Sequence, residues 1–215
     1  MNRSAIIAGA EKFARNELAA DSSGHDWWHV YRVTKLAHKL AALENADVFI
    51  CTAAALLHDV ADEKLNPSKE AGIAKIDGWL KENRADEDDA AHIVEIISTM
   101  SYGDSAGRRM STLEGQIVQD ADRLDALGAI GIARTFAFSG WKGQLMHDPG
   151  LPPRENMTKE EYRSGKSTAV NHFYEKLFRL KELMNTAAAR QMAEERHRFM
   201  EDYLNQFYEE WDPSD

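Results

Sequence analysis

Residues 24–40 read "GHDWWHVYRVTKLAHKL". Apolar side chains return at intervals of three and four, so that Val33, Leu36, Ala37 and Leu40 share one face, and His29 shares it with them. That is the α-helical period, and it turns an imidazole toward a core. The same period recurs between breakers along the chain, and four of the five prolines (Pro67, Pro149, Pro152 and Pro153) sit in loop-like stretches. The sequence therefore predicts an all-α fold, with helices near 3–20, 26–44, 47–60, 68–83, 86–100, 112–138, 167–186 and 187–210. Asp26 or Ser23, Asp47 and Ser68 are placed to cap the second, third and fourth, because their side-chain oxygens can accept from first-turn amides.

The 215 residues are 43% hydrophobic and 29% charged, a globular composition, and their number suits one domain over 1–215. No apolar run reaches membrane-spanning length, and the opening "MNRSAIIAGAEKFARNE" lacks a secretory core and reads as an amphipathic helix. A cytoplasmic protein without a membrane partner is expected. Cys51 is the only cysteine, which excludes an internal disulfide and a cysteine-based zinc cluster. A formal net charge of −10 opposes long nucleic acid, while a local cationic cluster or a metal would still admit a small phosphorylated substrate. Toward the C-terminus Phe173, Leu177 and Leu180 mark an amphipathic face that reads as core, with a homodimer interface as the alternative. Two long loops, 101–111 and 139–165, have the length of loops that cover sites.

Polar residues on inward faces carry the chemistry. In "ALLHDVADEK" (55–64), His58 follows the small apolar stripe of Cys51, Ala54 and Ala55. In "QIVQDADRLDALGAIGIA" (116–133), Asp122 lines up with Val118, Asp125 and Ala129. A buried carboxylate is costly unless a cation meets it. His29, His58, Asp59 and Asp122, from three helices, would together offer mixed nitrogen and oxygen ligands to a divalent metal.

The order His, then His-Asp, then a distant Asp resembles the signature of the HD-domain metal-dependent phosphohydrolases. It is carried by "HDWWHVYRV", "ALLHDVADEK" and "QDADRLDALGAIGIAR". The C-terminal words "NHFYEKLFRLKELMNTAAAR" and "AEERHRFMEDYLNQFYEEW" are similar to the small stand-alone bacterial branch, so the resemblance spans roughly residues 20–211. It implies an HD-domain helical bundle holding one divalent ion (manganese, magnesium, iron, cobalt, nickel or zinc) through His29, His58, Asp59 and Asp122. By analogy, Asp62 is the general base, with Glu63 as its helper or replacement; the alternative is a solvated acidic helix end or a salt bridge with Lys64.

Phosphate oxygens beyond the metal need cations, and Lys64 and Arg123 rank ahead of Arg32 for that role, with Arg108 and Arg109 available from a loop. His92 is expected to touch substrate or to support the metal ligands from behind, rather than to hold a second metal. Trp27, Trp28, Tyr31 or Tyr102 would stack on a base or serve as core. The spacing of His25 and His29 also mimics a zinc-protease helix, but Asp26 stands where that motif needs glutamate.

The reaction implied is metal-dependent hydrolysis of a small nucleotide, most sharply the cleavage of a (deoxy)nucleoside triphosphate to monophosphate and pyrophosphate. Two alternatives stand beside it. One is a non-catalytic metal- and nucleotide-binding regulatory module, which the intact ligand set and the Asp62–Glu63 pair disfavour. The other is a hydrolase of another phosphate ester, such as a nucleoside monophosphate or a signalling nucleotide.

Overall fold

Nearly unbroken apolar sequence from Val48 to Leu57 forms a helix that is hydrophobic on every side, and such a helix is stable only when surrounded. The rest of its unit is arranged to do this. A computed structural model of the protein describes residues 2–19, 26–100, 110–154 and 165–213. The expectations placed on Ser23, His25, Tyr102, Arg108 and Arg109 lie outside the described residues. Among those described there is no strand, and no helix is long and apolar enough to cross a membrane.

The chain gathers into two units, Met1–Asp122 and Arg123–Asp215. The first holds α1 (Arg3–Glu17), α2 (Trp27–Glu44), α3 (Val48–Leu57), α4 (Lys69–Glu82), α5 (Glu87–Thr99) and most of α6 (Leu113–Asp125). Helices α1, α2 and α5 pack around α3, whose residues from Phe49 to Leu57 are all buried. Asp26 caps α2 by accepting from the His29 amide at 2.9 Å, Asp47 caps α3 through the Phe49 and Ile50 amides, and Ser68 caps α4 through Ala71. Each cap satisfies a first-turn donor that has no carbonyl partner within its helix. Asn45, in the left-handed region at φ 56°, ends α2.

After Leu57 the chain tightens into a 3₁₀ turn, His58–Ala61, and α4 packs against that turn. The expected helix 47–60 is thus an α-helix completed by a 3₁₀ turn, which changes the direction in which its last side chains point.

The second unit comprises α7 (Gly128–Trp141), α8 (Ala169–Glu175), 3₁₀ turns at Leu177–Arg179 and Lys181–Leu183, and α9 (Ala187–Trp211). Its core is aromatic: the Phe173 ring stacks on Tyr203 at 6.3 Å, and Phe136 meets both. Residues 145 and 146 are tied to α8 by backbone bonds from the Ala169 and Val170 amides. Glu175, buried to 1% side-chain exposure, accepts from the amide and guanidinium of Arg154 and from the Ser167 hydroxyl. Burial opposes its ionisation, but these bonds outweigh that and hold its carboxyl below the usual range.

Two expected helices are each broken. The single helix predicted over 112–138 is two, because α6 stops at Asp125, Leu127 is extended and Gly128 turns at φ +70°. Gly131 makes the break possible: a Cβ there would stand 2.2 Å from the Ala126 carbonyl oxygen. Ala129 is consequently exposed instead of sharing the face of Asp122. The helix predicted over 167–186 leaves helical geometry at Lys176 (φ −138°) and continues only as short turns.

Candidate metal centre

The cap at Asp26 fixes where α2 begins, and His29, three residues on, then points inward at 2% exposure. The 3₁₀ turn at the end of α3 supplies His58 and Asp59, both buried, and α6 supplies Asp122, also buried. The structure brings these four together. Nε2 of His29 lies 3.3 Å from Oδ1 of Asp122 and 3.5 Å from Oδ2 of Asp59, while Nε2 of His58 lies 3.2 Å from Oδ1 of Asp59. The two imidazole rings meet edge to face at 5.6 Å.

The residues fit a metal on their own chemistry. Nδ1 of His58 is 2.8 Å from the Ala55 carbonyl oxygen, a contact that places the ring proton on Nδ1. Nε2 then carries a bare lone pair. That buried atom has no hydrogen-bond partner, yet a carboxylate oxygen faces it. Two lone pairs at that distance repel unless a proton or a metal ion sits between them. Ligand atoms from His29, His58 and Asp59 all lie within 4.8 Å of one another. Neighbouring ligands around one ion with bonds of about 2.0–2.2 Å stand roughly 3.0–3.5 Å apart, the same spacing as the contacts above. The Ala55 carbonyl acts as the outer partner that fixes the His58 ring.

Burial works against ionised Asp122, but its neighbours His29 and His58, when protonated, outweigh burial and the opposing charge of Asp59 and hold the carboxyl below its usual range. Cys51 is no competitor. Burial, helped by the charges of Glu114 and Asp47, pushes its thiol up to about 12.

The remaining predicted residues fall in several places. Asp62 ends the 3₁₀ turn, half-buried, and its Oδ1 accepts from the Lys64 amide at 2.9 Å; Glu63 and Lys64 are exposed. Arg32 is half-buried on α2, Trp27 is core, and Trp28 and Tyr31 are exposed. His92 is turned elsewhere. Its Nε2 meets the Thr112 hydroxyl at 3.1 Å and Glu114 at 3.9 Å, at the start of α6, and Glu114 also accepts from the Asp47 amide that opens α3. At about 1.5 Å per residue, Glu114 is roughly 12 Å from Asp122 along the helix. Arg123 is buried in the second unit, where its guanidinium donates to the Leu183 carbonyl.

Asn66 escaped the sequence reading. It is buried, and its Nδ2 donates to the carbonyls of Val60 (2.7 Å) and Asp62 (2.9 Å). The only signal for it in the sequence is an asparagine before Pro67, the ordinary mark of a turn.

Comparison with known proteins places the chain. The family model of the HD domain matches residues 27–127. The uncharacterized protein YpgQ of Bacillus subtilis (strain 168) is 40% identical over 191 residues, 88% of this chain and 85% of its own length. A crystal structure of an HD-superfamily hydrolase from Bacillus thuringiensis superposes with a TM-score of 0.82 at 48% identity, covering 99% of this chain and 100% of that one. The crystal structure of Bacillus subtilis YpgQ in complex with ADP gives 0.79 at 36% identity, covering 100% and 98%.

Proposed function

The chain belongs to the HD-domain family, and from that premise we propose that it is a metal-dependent phosphohydrolase of small nucleotides, cleaving (deoxy)nucleoside triphosphates to monophosphate and pyrophosphate. The observation that carries this reading is the buried cluster of His29, His58, Asp59 and Asp122, with the His58 lone pair facing a carboxylate oxygen. ADP in the crystal structure of YpgQ, a relative spanning both units, supports a nucleotide as ligand.

His29, His58, Asp59 and Asp122 would hold a divalent cation, which when bound lowers the pKa of water and draws charge from a phosphoryl group. The protein's own residues do the rest. The Ala55 carbonyl keeps the His58 proton on Nδ1, so that Nε2 stays a donor of electrons. Asp62, held by the Lys64 amide through one oxygen, uses its other oxygen to take the proton of the attacking water. The water oxygen forms a bond to the α-phosphorus as the bond to pyrophosphate breaks. Glu63, exposed beside Asp62, orients that water, and Lys64 and Arg32 offset phosphate charge.

The test is a manganese-loaded protein offered a panel of nucleoside and deoxynucleoside triphosphates, with pyrophosphate and orthophosphate measured separately. Pyrophosphate from the wild type and none from a His58→Ala/Asp59→Ala variant is the expected result. Orthophosphate alone would move the reaction to a terminal phosphate or a monoester.

A further inference from the structure

The turn that carries His58, Asp59 and Asp62 is closed on itself by one side chain. Asn66 spends both N–H bonds of its amide on main-chain carbonyls, Val60 at 2.7 Å and Asp62 at 2.9 Å, and is buried while doing so. The Asp62 carbonyl also accepts from the Leu65 amide at 3.0 Å, and the Asp62 carboxylate accepts from the Lys64 amide at 2.9 Å. Four bonds therefore join residues 60–66 into a loop in which Asp62 is held by its carbonyl and by one carboxylate oxygen. Behind the loop stands α4, whose Gly72 presses on the Ala61 backbone and leaves the turn no room to retreat.

We infer that Asn66 is a positioning residue: it clamps the carbonyls on either side of Ala61 and thereby aims the uncommitted carboxylate oxygen of Asp62. This rests on the reading of Asp62 as the base. Asn66 grips the chain after Asp59, at the carbonyls of Val60 and Asp62, so it governs the direction of Asp62 more than that of His58 and Asp59. Carboxamide chemistry suits the role, since one nitrogen offers two donors to two carbonyls; aspartate, of the same shape, would oppose both carbonyls with negative charge. A misplacement of about 1 Å in a catalytic group costs roughly 10²-fold in rate.

The experiment has an arm that needs no turnover. In the protein without added metal, Asn66→Ala should speed amide hydrogen exchange at Lys64 and Leu65, the two amides bonded to Asp62, by about tenfold or more. Unchanged exchange at both overturns the inference even if the protein hydrolyses nothing. In the second arm, with manganese, Asn66→Ala should lower kcat about 10- to 100-fold with KM and manganese affinity altered less than about threefold. Repeated in an Asp62→Asn background, the same change should cost almost nothing. An equal loss in both backgrounds shows a merely structural role and overturns the inference. Should Asn66→Ala not fold, Asn66→Ser, with a shorter and weaker donor, is read by the same two amides under the same criterion.

Discussion

Gly72 of α4 sits so close to Ala61 that a Cβ at residue 72 would lie 2.6 Å from the Ala61 carbonyl oxygen and 2.7 Å from its Cα. Neither partner is a flexible side chain, so a methyl group here forces α4 or the turn that carries His58 and Asp59 to move.

Gly72→Ala should therefore destabilise the protein by about 1–3 kcal/mol, the usual cost of overpacking, and weaken manganese binding together with stability. Gly78, on the same helix with nothing within 4 Å of an added Cβ, is the control. Gly78→Ala should be neutral or stabilising by about 0.5–1 kcal/mol, the helix preference of alanine. Urea melts and a manganese titration on both variants check the pair.

Metal should stabilise this fold and its removal should be felt. At a free manganese concentration about 100 times Kd, the gain is about 2.7 kcal/mol, visible as a Tm that falls on chelation. For His58→Ala/Asp59→Ala, metal content after gel filtration should drop to background and the melt should no longer respond to manganese. A double variant that kept its metal would refute the ligand assignment.

Asp62→Asn should separate binding from chemistry. The amide keeps an oxygen for the Lys64 amide but cannot take a proton, so metal content should be unchanged while turnover falls by about 10²-fold or more. Loss of metal alongside turnover would instead make Asp62 part of the ligand set.

Stability should fall in mild acid through His172. Burial, then the charge of Lys176, push this imidazole down to about 4 from an ordinary 6.5, against a smaller opposing pull from Glu175. Between those two values the unfolded chain binds a proton that the folded chain does not, so stability is level above pH 6.5 and declines as pH falls toward 4. The decline is at most about 3 kcal/mol, less with solvent screening of this half-buried ring. His172→Gln should flatten the slope between pH 7.5 and 5 in urea melts. Glu175, whose carboxyl is held below its usual 4.5, contributes stability that is lost only at lower pH.

Much of the centre was legible because it obeys local rules. His29 follows its cap by a fixed count, His58 ends an apolar run, and Asp122 keeps the period of Val118, so each inward direction could be read from spacing alone. The break after Asp125 was not legible, because it depends on partners distant in sequence. Arg134 binds the Asp125 carboxylate at 2.6 Å, Arg196 donates to the Leu124 carbonyl, and the two glycines that permit the turn, Gly128 and Gly131, also fit a weakened helix. Similar reasons hid the fates of Arg123 and His92. Local spacing does not announce the Leu183 carbonyl that Arg123 meets, or the Thr112 and Glu114 that His92 meets. Asn66 was missed because an asparagine before proline signals a turn without saying which carbonyls it will hold.

The burial of α3 has an electrical consequence. Peptide dipoles along its ten residues add up to a partial negative charge, about half an electron, at the end where His58 and Asp59 follow. Because α3 is enclosed by other helices, salt and water screen that charge poorly. The scaffold thus attracts a cation and repels a phosphate before any side chain is counted. Binding should accordingly be ordered, metal first, with nucleotide affinity collapsing in the chelated protein and returning as manganese is restored.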